Sequence, residues 1–508
     1  MTASTLMVQG TTSSAGKSLL VTALCRYFRQ EGLRVAPFKS QNMALNSAVT
    51  PDGSEIGRAQ AAQAEAAGVL PTADMNPILL KPEGDRRSQV VVMGRPIGSL
   101  SALEYHAHKP ELRSVIAESL ARLRKCHDLV VIEGAGSPAE INLKDRDLVN
   151  MHVAQLANAP VLLVGDIDRG GVFAAFVGTL ELLEPHERDR IAGFVVNKFR
   201  GDLALLSPGL DFLAQRTGKP VVGVLPYLRE LRLPDEDSLS LADRPARASA
   251  CAGQVDVAVV RLPRISNHDD VEPLEHEPGV VVRFVEEPSE LVSADLVILP
   301  GSKSTVADLD WLRQRGFAAG LAARAHAGRP ILGICGGCQM LGRSIRDPHR
   351  AESDRERVEG LSLLPIDTVF ARDKVTADVE VRSAAPSFLT DHRPLDSSLR
   401  AYEIHMGQIE PISRAAAPFE ILTRNGRPAA APDGAMSDDG AVVGTLLHGL
   451  FLDDGLRARL VGLLRRQKGL PALPGRAPVD ARQSTYDRLA DSVREHLDCA
   501  LLRRLAMP

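Results

Sequence analysis

The stretch Thr5–Ser18 reads TLMVQGTTSSAGKS, and the order of residue types in it decides the fold. The apolar run Thr5–Gln9 reads as a buried strand, Gly10–Gly16 as a Gly/Ser-rich loop, and the following residues as a helix through about Phe28. Strand, glycine loop and helix in that order are the setting of a phosphate-binding loop. Glycines let backbone N–H groups turn inward around phosphate oxygens, and the helix N-terminus adds favourable partial charge. Gly10, Thr11 and Gly16 are therefore expected to cradle phosphate. Lys17 is expected to reach the terminal phosphates, and the Ser18 hydroxyl to ligate Mg²⁺. Five residues separate Gly10 from Gly16, one more than the usual spacing.

Outward from the loop the same pattern repeats. Arg34–Lys39 (RVAPFK) reads as a second strand, and Leu129–Ile132, Val161–Val164, Phe194–Val196 and Val221–Leu225 as further buried runs between helical stretches. Such alternation builds βαβ units and a parallel sheet, whose ligands gather at the carboxyl ends of the strands. Glu133 stands at one such end, in Val130-Val-Ile-Glu133-Gly-Ala-Gly136, and is the expected partner of Ser18 in holding the metal. The competing reading is an ordinary acid at the end of a strand. Residues 229–254 are polar and aperiodic, as a linker is. Beyond them Val255–Val260, Val280–Val285, Leu296–Leu299 and Ile331–Ile334 restart the strand pattern. The expected fold is α/β, in two domains that each carry a mainly parallel sheet flanked by helices. The boundaries expected are residues 1–230, a linker at 231–254, a second domain at 255–455 and a C-terminal helical extension at 456–508. The charged run 346–358 reads as a solvated loop, and the stretch from about Pro471 as an amphipathic helix whose default role is packing.

Composition narrows the class. A chain of 508 residues is too long for one core. Hydrophobic residues at 44% and charged residues at 24% are ordinary for a globular protein. Sixty Lys and Arg nearly balance 64 Asp and Glu, for a net charge of -4, so bulk charge gives no reason to expect nucleic acid or an anionic membrane as partner. Aromatics at 4% argue against stacking platforms for single strands. Six scattered cysteines are no disulfide framework. No signal segment or run of about 18 apolar residues is visible. A cytoplasmic protein with small-molecule partners, without nucleic acid or membrane, is expected; its oligomeric state stays open.

The second half holds a nucleophile. Gly333-Ile-Cys335-Gly-Gly337 follows the run ILGI and precedes a helical stretch, the arrangement of a nucleophile elbow with Cys in place of Ser. Small neighbours tolerate the turn, and the helix N-terminus lowers the thiol pKa. The Gly336 N–H is a natural oxyanion donor, and Ser302, in Pro300-Gly301-Ser302 after another strand, is expected to supply the second. His448, in Gly444-Thr-Leu-Leu-His448-Gly, comes at the end of a late apolar strand and is the expected base. Cys338, three places on, reads as packing. The pair Cys335 and Cys338 spells C-x-x-C, but no second pair accompanies it to hold zinc.

The long phosphate loop resembles that of dethiobiotin synthetase and its relatives, and strand–Cys–helix followed by strand–His resembles class I glutamine amidotransferase domains. The first resemblance implies a P-loop NTPase-like domain using ATP and Mg²⁺ to phosphorylate a carboxylate, with Asn197-Lys198 near the nucleotide base. The second implies thiolate attack on glutamine and release of ammonia. Members of that class usually follow the His with Pro-Glu, the Glu orienting the ring; here the run is His448-Gly-Leu450, and no third triad residue is assigned. Phe38-Lys39-Ser-Gln41-Asn42-Met43, Gly165-Asp166-Ile-Asp168-Arg169-Gly170-Gly171, Asn197-Lys-Phe-Arg200-Gly-Asp202 and Tyr402-Glu403-Ile-His405-Met-Gly407 are similar to the cobyric acid synthase family. That resemblance implies amidation of peripheral carboxylates of (adenosyl)cobyrinic acid a,c-diamide. Under it Lys39 is expected to neutralise a substrate carboxylate and Gln41 and Asn42 to bond its propionates or amides. Asp166 and Asp168 make a metal or substrate contact, or simply a turn with helix-capping acids. His405 belongs either to the glutaminase pocket or ammonia path, or to a hydrogen-bonded core. Three rivals are weighed: cobyrinic acid a,c-diamide synthase, a partition-type ATPase switch, and a synthetase with a dead glutaminase site.

Overall fold

The computed structural model describes residues 2–83, 87–228, 251, 253–412, 415–473 and 478–507. The chain divides into two units: Met1–Ala44 with Glu55–Glu236 and Asp480–Pro508, and Leu45–Ser54 with Asp237–Val479. The linker expected at 231–254 falls almost wholly outside the described residues.

In the first unit, strands β1 (Ser4–Gly10), β2 (Val35–Phe38), β3 (Gln41–Met43), β4 (Ile78–Pro82), β5 (Arg87–Val92), β6 (Arg95–Ser101), β7 (Leu129–Glu133), β8 (Val161–Asp166), β9 (Ile191–Phe199) and β10 (Val221–Pro226) form two sheets. The larger has the order β10-β9-β8-β1-β7-β2, and every pairing in it is parallel. Leu6, Met7 and Val8 of β1 are fully buried, as expected of a strand covered on both faces, which reads as a continuous apolar run. Helix α1 (Lys17–Gln30) begins from Gly16 in the left-handed region (φ 95°). It sets Leu20, Leu24 and Phe28 against Leu6 and Val8. The second sheet, β3-β4-β5-β6, is mostly antiparallel and was not anticipated.

In the second unit, β11 (Val255–Val260), β12 (Val280–Val285), β13 (Leu296–Leu299), β14 (Ile331–Ile334), β15 (Ile366–Ser383), β16 (Leu399–Pro411), β17 (Ala435–Met436), β18 (Val442–Thr445) and β19 (Leu447–His448) are the strands that frame the site. The order β12-β11-β13-β14-β18-β17 is parallel except for β17. A separate antiparallel sheet is built on the long pair β15 and β16, with β19 at its edge beside β16. The two-domain α/β reading and its parallel sheets hold, each unit adding a second sheet of mainly antiparallel pairs, four-stranded in the first and seven-stranded in the second.

The domain boundaries need correction. The segment 456–508 is not one extension. Leu456, Leu460 and Leu464 of the helix Asp454–Gln467 join the core of the second unit. Leu489, Val493 and Leu502, from helices Pro478–His496 and Cys499–Ala506, join the core over α1 and β1 in the first. Apolar faces go where complementary apolar surface exists, and two faces here find two cores. Leu45–Ser54, expected in the first domain, belongs to the second unit. The run 346–358 is also more ordered than a solvated loop. Asp347, 1% exposed, accepts the Ala351, Glu352 and Ser353 N–H groups, and Arg357–Glu359 pairs with Ser344–Arg346.

Candidate functional site

The phosphate loop closes on itself through Lys17. Its Nζ donates to the carbonyls of Thr12 (3.0 Å), Ser13 (3.0 Å) and Gly136 (3.1 Å), so the loop after β7 meets the loop after β1. Thr11 leaves the strand with its N–H on the Val164 carbonyl, 2.9 Å away. A Cβ on Gly10 would lie 2.9 Å from the Thr12 carbonyl oxygen, and one on Gly16 would overlap the Asn197 side chain. Asn197 donates to the Ala15 carbonyl at 2.9 Å, which ties the loop to β9. Lys198 reaches the Ser14 carbonyl (2.9 Å) and Asp166 (2.7 Å).

Glu133, fully buried at the end of β7, is the centre of this region. Its carboxylate accepts from Ser18 Oγ (2.8 Å), Lys39 Nζ (2.8 Å) and Gln63 Nε2 (2.5 Å). An ordinary surface acid at a strand end is thereby excluded. Ser18 and Glu133 are hard oxygen donors 2.8 Å apart, the chemistry a Mg²⁺ ion takes beside a phosphate loop. Lys39 is 4% exposed and engaged with Glu133, and Asn42, 3% exposed, donates to Gln60. Gln41 accepts from the Tyr105 hydroxyl and lines a cleft of about 860 Å³ that Gly136 also borders. Asp166 carries Lys198 and, at 3.7 Å, Arg169; Asp168 pairs with Arg200. The Asp pair is therefore a tied turn. Asp166 also accepts the Asp168 N–H, as turn acids do. Of the four expected substrate ligands only Gln41 faces the cleft.

The second unit gathers Cys335, His448 and a third residue. Cys335, between β14 and the helix Gly336–Leu341, has φ 50° and ψ −107°. That is a strained backbone for a residue with a Cβ, and such strain concentrates at working sites. Its N–H donates to the Thr445 carbonyl at 2.8 Å, and its Sγ lies 3.5 Å from the Ile404 carbonyl. A Cβ on Gly337 would overlap the Leu299 carbonyl, and one on Gly336 would lie 2.9 Å from the Ser302 nitrogen. The Gly336 and Ser302 backbones thus lie against one another. The Ser302 hydroxyl is turned to Asp308 at 2.6 Å. Burial raises the Asp308 carboxyl to about 6, against the lowering effect of that bond.

His448 is 2% exposed, and its Nδ1 lies 2.6 Å from Asp270 Oδ2. Burial lowers the imidazole pKa, but the Asp270 charge and hydrogen bond, with the Cys335 side chain on the other side, overcome it and push it up to about 10. The ring is therefore held in its charged form beside the Cys335 side chain. Asp270 also accepts the Gly449 N–H at 2.8 Å. Tyr402 stacks on the ring, centroids 5.2 Å apart and planes at 16°. Its hydroxyl accepts from Asn267, which also donates to the Ser47 carbonyl. Asp270 escaped the sequence reading, and Tyr402, quoted there only within a family motif, was given no part beside His448. Asp270 precedes His448 by 178 residues, and no local pattern marks it. His405 belongs to the hydrogen-bonded core of the two readings. Its Nδ1 donates to the Gly407 carbonyl (2.9 Å) and its Nε2 lies 3.4 Å from Glu403, which Arg424 grips with two bonds. Cys338 is fully buried, as packing requires.

The family described as CobQ/CobB/MinD/ParA nucleotide binding domain matches residues 6–241, and that described as CobB/CobQ-like glutamine amidotransferase domain matches residues 256–456. A cobyric acid synthase of Sorangium cellulosum is 62% identical over 514 residues, covering 99% of each chain. The cobyric acid synthase of Moorella thermoacetica is 52% identical, covering 98% of this chain and 96% of its own. That of Desulforudis audaxviator is 54% identical over 98% of both.

Proposed function

The chain belongs to the cobyric acid synthase family, and from that premise we propose that it amidates peripheral carboxylates of (adenosyl)cobyrinic acid a,c-diamide, using ATP and glutamine, to give cobyric acid in cobalamin biosynthesis. The observation that carries the reading is the Cys335–His448–Asp270 chain on the same polypeptide as the Lys17 phosphate loop. A glutaminase centre alone releases ammonia, and a phosphate loop alone splits nucleotide. Together they supply the two halves of a carbon–nitrogen ligase.

In the second unit the Cys335 thiolate attacks the glutamine amide carbon, and the oxygen's developing charge faces the Gly336 and Ser302 N–H groups. His448 gives its proton to the leaving ammonia, and water then releases glutamate from the thioester. In the first unit a substrate carboxylate oxygen attacks the γ-phosphorus of ATP, and ADP leaves. Ammonia displaces phosphate from the acyl phosphate to form the amide. Gly10, Thr11, Gly16 and Lys17 hold the phosphates, and Asn197 supports the loop. Ser18 and Glu133 would hold Mg²⁺, which supplies charge neutralisation for phosphoryl transfer when bound. Among the described residues no helix is long and apolar enough to cross a membrane.

The test is mass spectrometry of product after incubation with cobyrinic acid a,c-diamide, Mg-ATP and glutamine, beside Cys335→Ala supplied with an ammonium salt. Stepwise conversion of carboxylates to amides is expected, with the variant active on ammonia alone. No amidation by the wild type with either nitrogen donor defeats the reading.

A further inference from the structure

We propose that the corrinoid seats in the first unit's cleft of about 860 Å³, held by an arginine rim that recognises its remaining carboxylates and weakens its grip as they become amides. This rests on the amidation reading above and names where the acceptor sits. One wall is the β4–β6 sheet, through Leu80, Val90 and Leu100; the other is the chain after β7, through Leu143, Leu148 and Met151. Leu143 is 50% exposed, and a further lining side chain, Met43, is 54% exposed. Large apolar side chains left in water around a concave surface mark a binding site for something apolar. A corrin has two broad, mainly apolar faces and an edge of carboxylates and amides, and the cleft has both chemistries in that arrangement.

The rim carries Arg87, Arg113, Lys144 and Arg146. Lys144 is neutralised by Glu184 and Glu187, and Arg87 lies 3.5 Å from Glu104. Asp147, also on the lining, is spent on the N–H groups of Val149, Asn150 and His152. Arg113 and Arg146 are exposed, and the positive charge of Arg113 is felt inside the cleft. His152 is held below its ordinary pKa first by burial and then by that arginine. Guanidinium groups bind carboxylates through paired N–H donors.

Gly136 lines the cleft, and its carbonyl accepts from Lys17 Nζ. A corrinoid lying on the apolar walls thus presents one edge carboxylate at the phosphate loop while others meet Arg113 and Arg146. Each amidation removes a charge the arginines hold but leaves the apolar contacts intact. Affinity falls in steps, and the finished amide is the form most readily released.

Equilibrium dialysis of the full-length protein against cobyrinic acid a,c-diamide and against cobyric acid tests this. The diamide is expected to bind about ten-fold tighter at low salt, with the gap narrowing as salt rises. Arg113→Ala and Arg146→Ala are expected to weaken diamide binding about five- to ten-fold each and to raise its KM more than they lower kcat. Arg113→Lys recovers part of the loss. Leu143→Asp, at an exposed position, weakens both ligands. Equal affinity for the two corrinoids, or arginine variants that bind the diamide as the wild type does while amidation proceeds, overturns the cleft and leaves the proposed function standing. Failure of the wild type to amidate the diamide removes that reading and this inference with it.

Discussion

Replacing Asp270 with Asn isolates what the remote carboxylate does for His448. The side chain keeps its shape, and its oxygen still accepts the Gly449 N–H, so the fold is retained. The charge is lost, and an amide N–H now faces Nδ1 in place of an oxygen 2.6 Å away. Charge centres about 4 Å apart at an effective dielectric near 20 interact by roughly 4 kcal/mol. Burial of the imidazolium is common to both proteins, so the variant loses the attraction itself, on the order of 4 kcal/mol or roughly a thousand-fold in rate. The variant amide also favours the tautomer with its proton on Nε2, the nitrogen the thiol needs, so the loss extends toward about 10,000-fold.

The pH profile carries the more specific signature. In the wild type the His448 pKa is raised to about 10, so imidazolium persists as pH rises and is lost only near that value. In Asp270→Asn, burial, the largest influence on this ring, is opposed by Cys335 alone. The pKa then drops and the alkaline limb of glutaminase activity moves to lower pH. The assay is glutamate release across pH 5–10, with ammonia-dependent amidation in parallel as the control for folding. A variant with more than about half the wild-type glutaminase rate and an unmoved alkaline limb would refute the assignment of Asp270.

Three further variants probe other parts. Gly16→Ala puts a Cβ into Asn197 at φ 95° and should abolish nucleotide binding, read by titration with a fluorescent ATP analogue, while glutamine hydrolysis continues. Gly337→Ala drives a Cβ into the Leu299 carbonyl and should destabilise the second unit by several kcal/mol, seen as a lowered Tm. Asp433, 3% exposed, has its carboxyl raised by burial to about 6, against the bonds from Thr445 and the Leu446 N–H. A raised carboxyl favours the folded state at low pH, so its contribution is lost as pH rises from about 4 to about 6, worth roughly 3 kcal/mol. Asp433→Asn should flatten the dependence of urea midpoint on pH across that window; an unchanged slope would count against the burial argument.

The sequence revealed most where chemistry and local pattern coincide. The phosphate loop needs glycine, lysine and serine within one strand–helix junction, and Gly16, Lys17 and Ser18 stand where that junction requires. The Cys335 elbow is equally local, because the turn itself demands the flanking glycines. Runs buried on both faces, such as β1 and β14, announce themselves by composition. What stayed hidden depends on distant pairing. Lys39 and Gln63 converge on Glu133 from separate elements; Lys39 stands in a legible motif, but its pairing with that acid, and Gln63 altogether, have no local signature. The β4–β6 sheet carries its apolar residues on short strands broken by Pro and Gly, a pattern that also fits exposed turns. Leu45–Ser54 shows no shift in composition where it passes from one unit to the other, so a boundary search reads through it.

The departure after His448 is explained by the same geometry that supplies its partner. In the usual arrangement Pro and Glu follow the histidine, and the Glu orients the ring. Gly449 here has φ 77°, a conformation proline cannot adopt, and its N–H, which proline lacks, is bonded to Asp270. A Cβ at this position would come within 3.2 Å of the Tyr402 ring that stacks on His448. The missing Pro-Glu and the presence of Asp270 are therefore one substitution: glycine admits the remote carboxylate, which grips both the ring nitrogen and the backbone just after it. Two bonds from one carboxylate and a stacked tyrosine fix the imidazole, so the lack of a nearby acid gives no support to a dead glutaminase. Gly449→Pro, which removes the N–H and the left-handed turn together, should lose glutamine-dependent amidation while retaining the ammonia-dependent reaction. Glutamine hydrolysis at the wild-type rate in that variant would show that Asp270 holds the ring without the backbone bond.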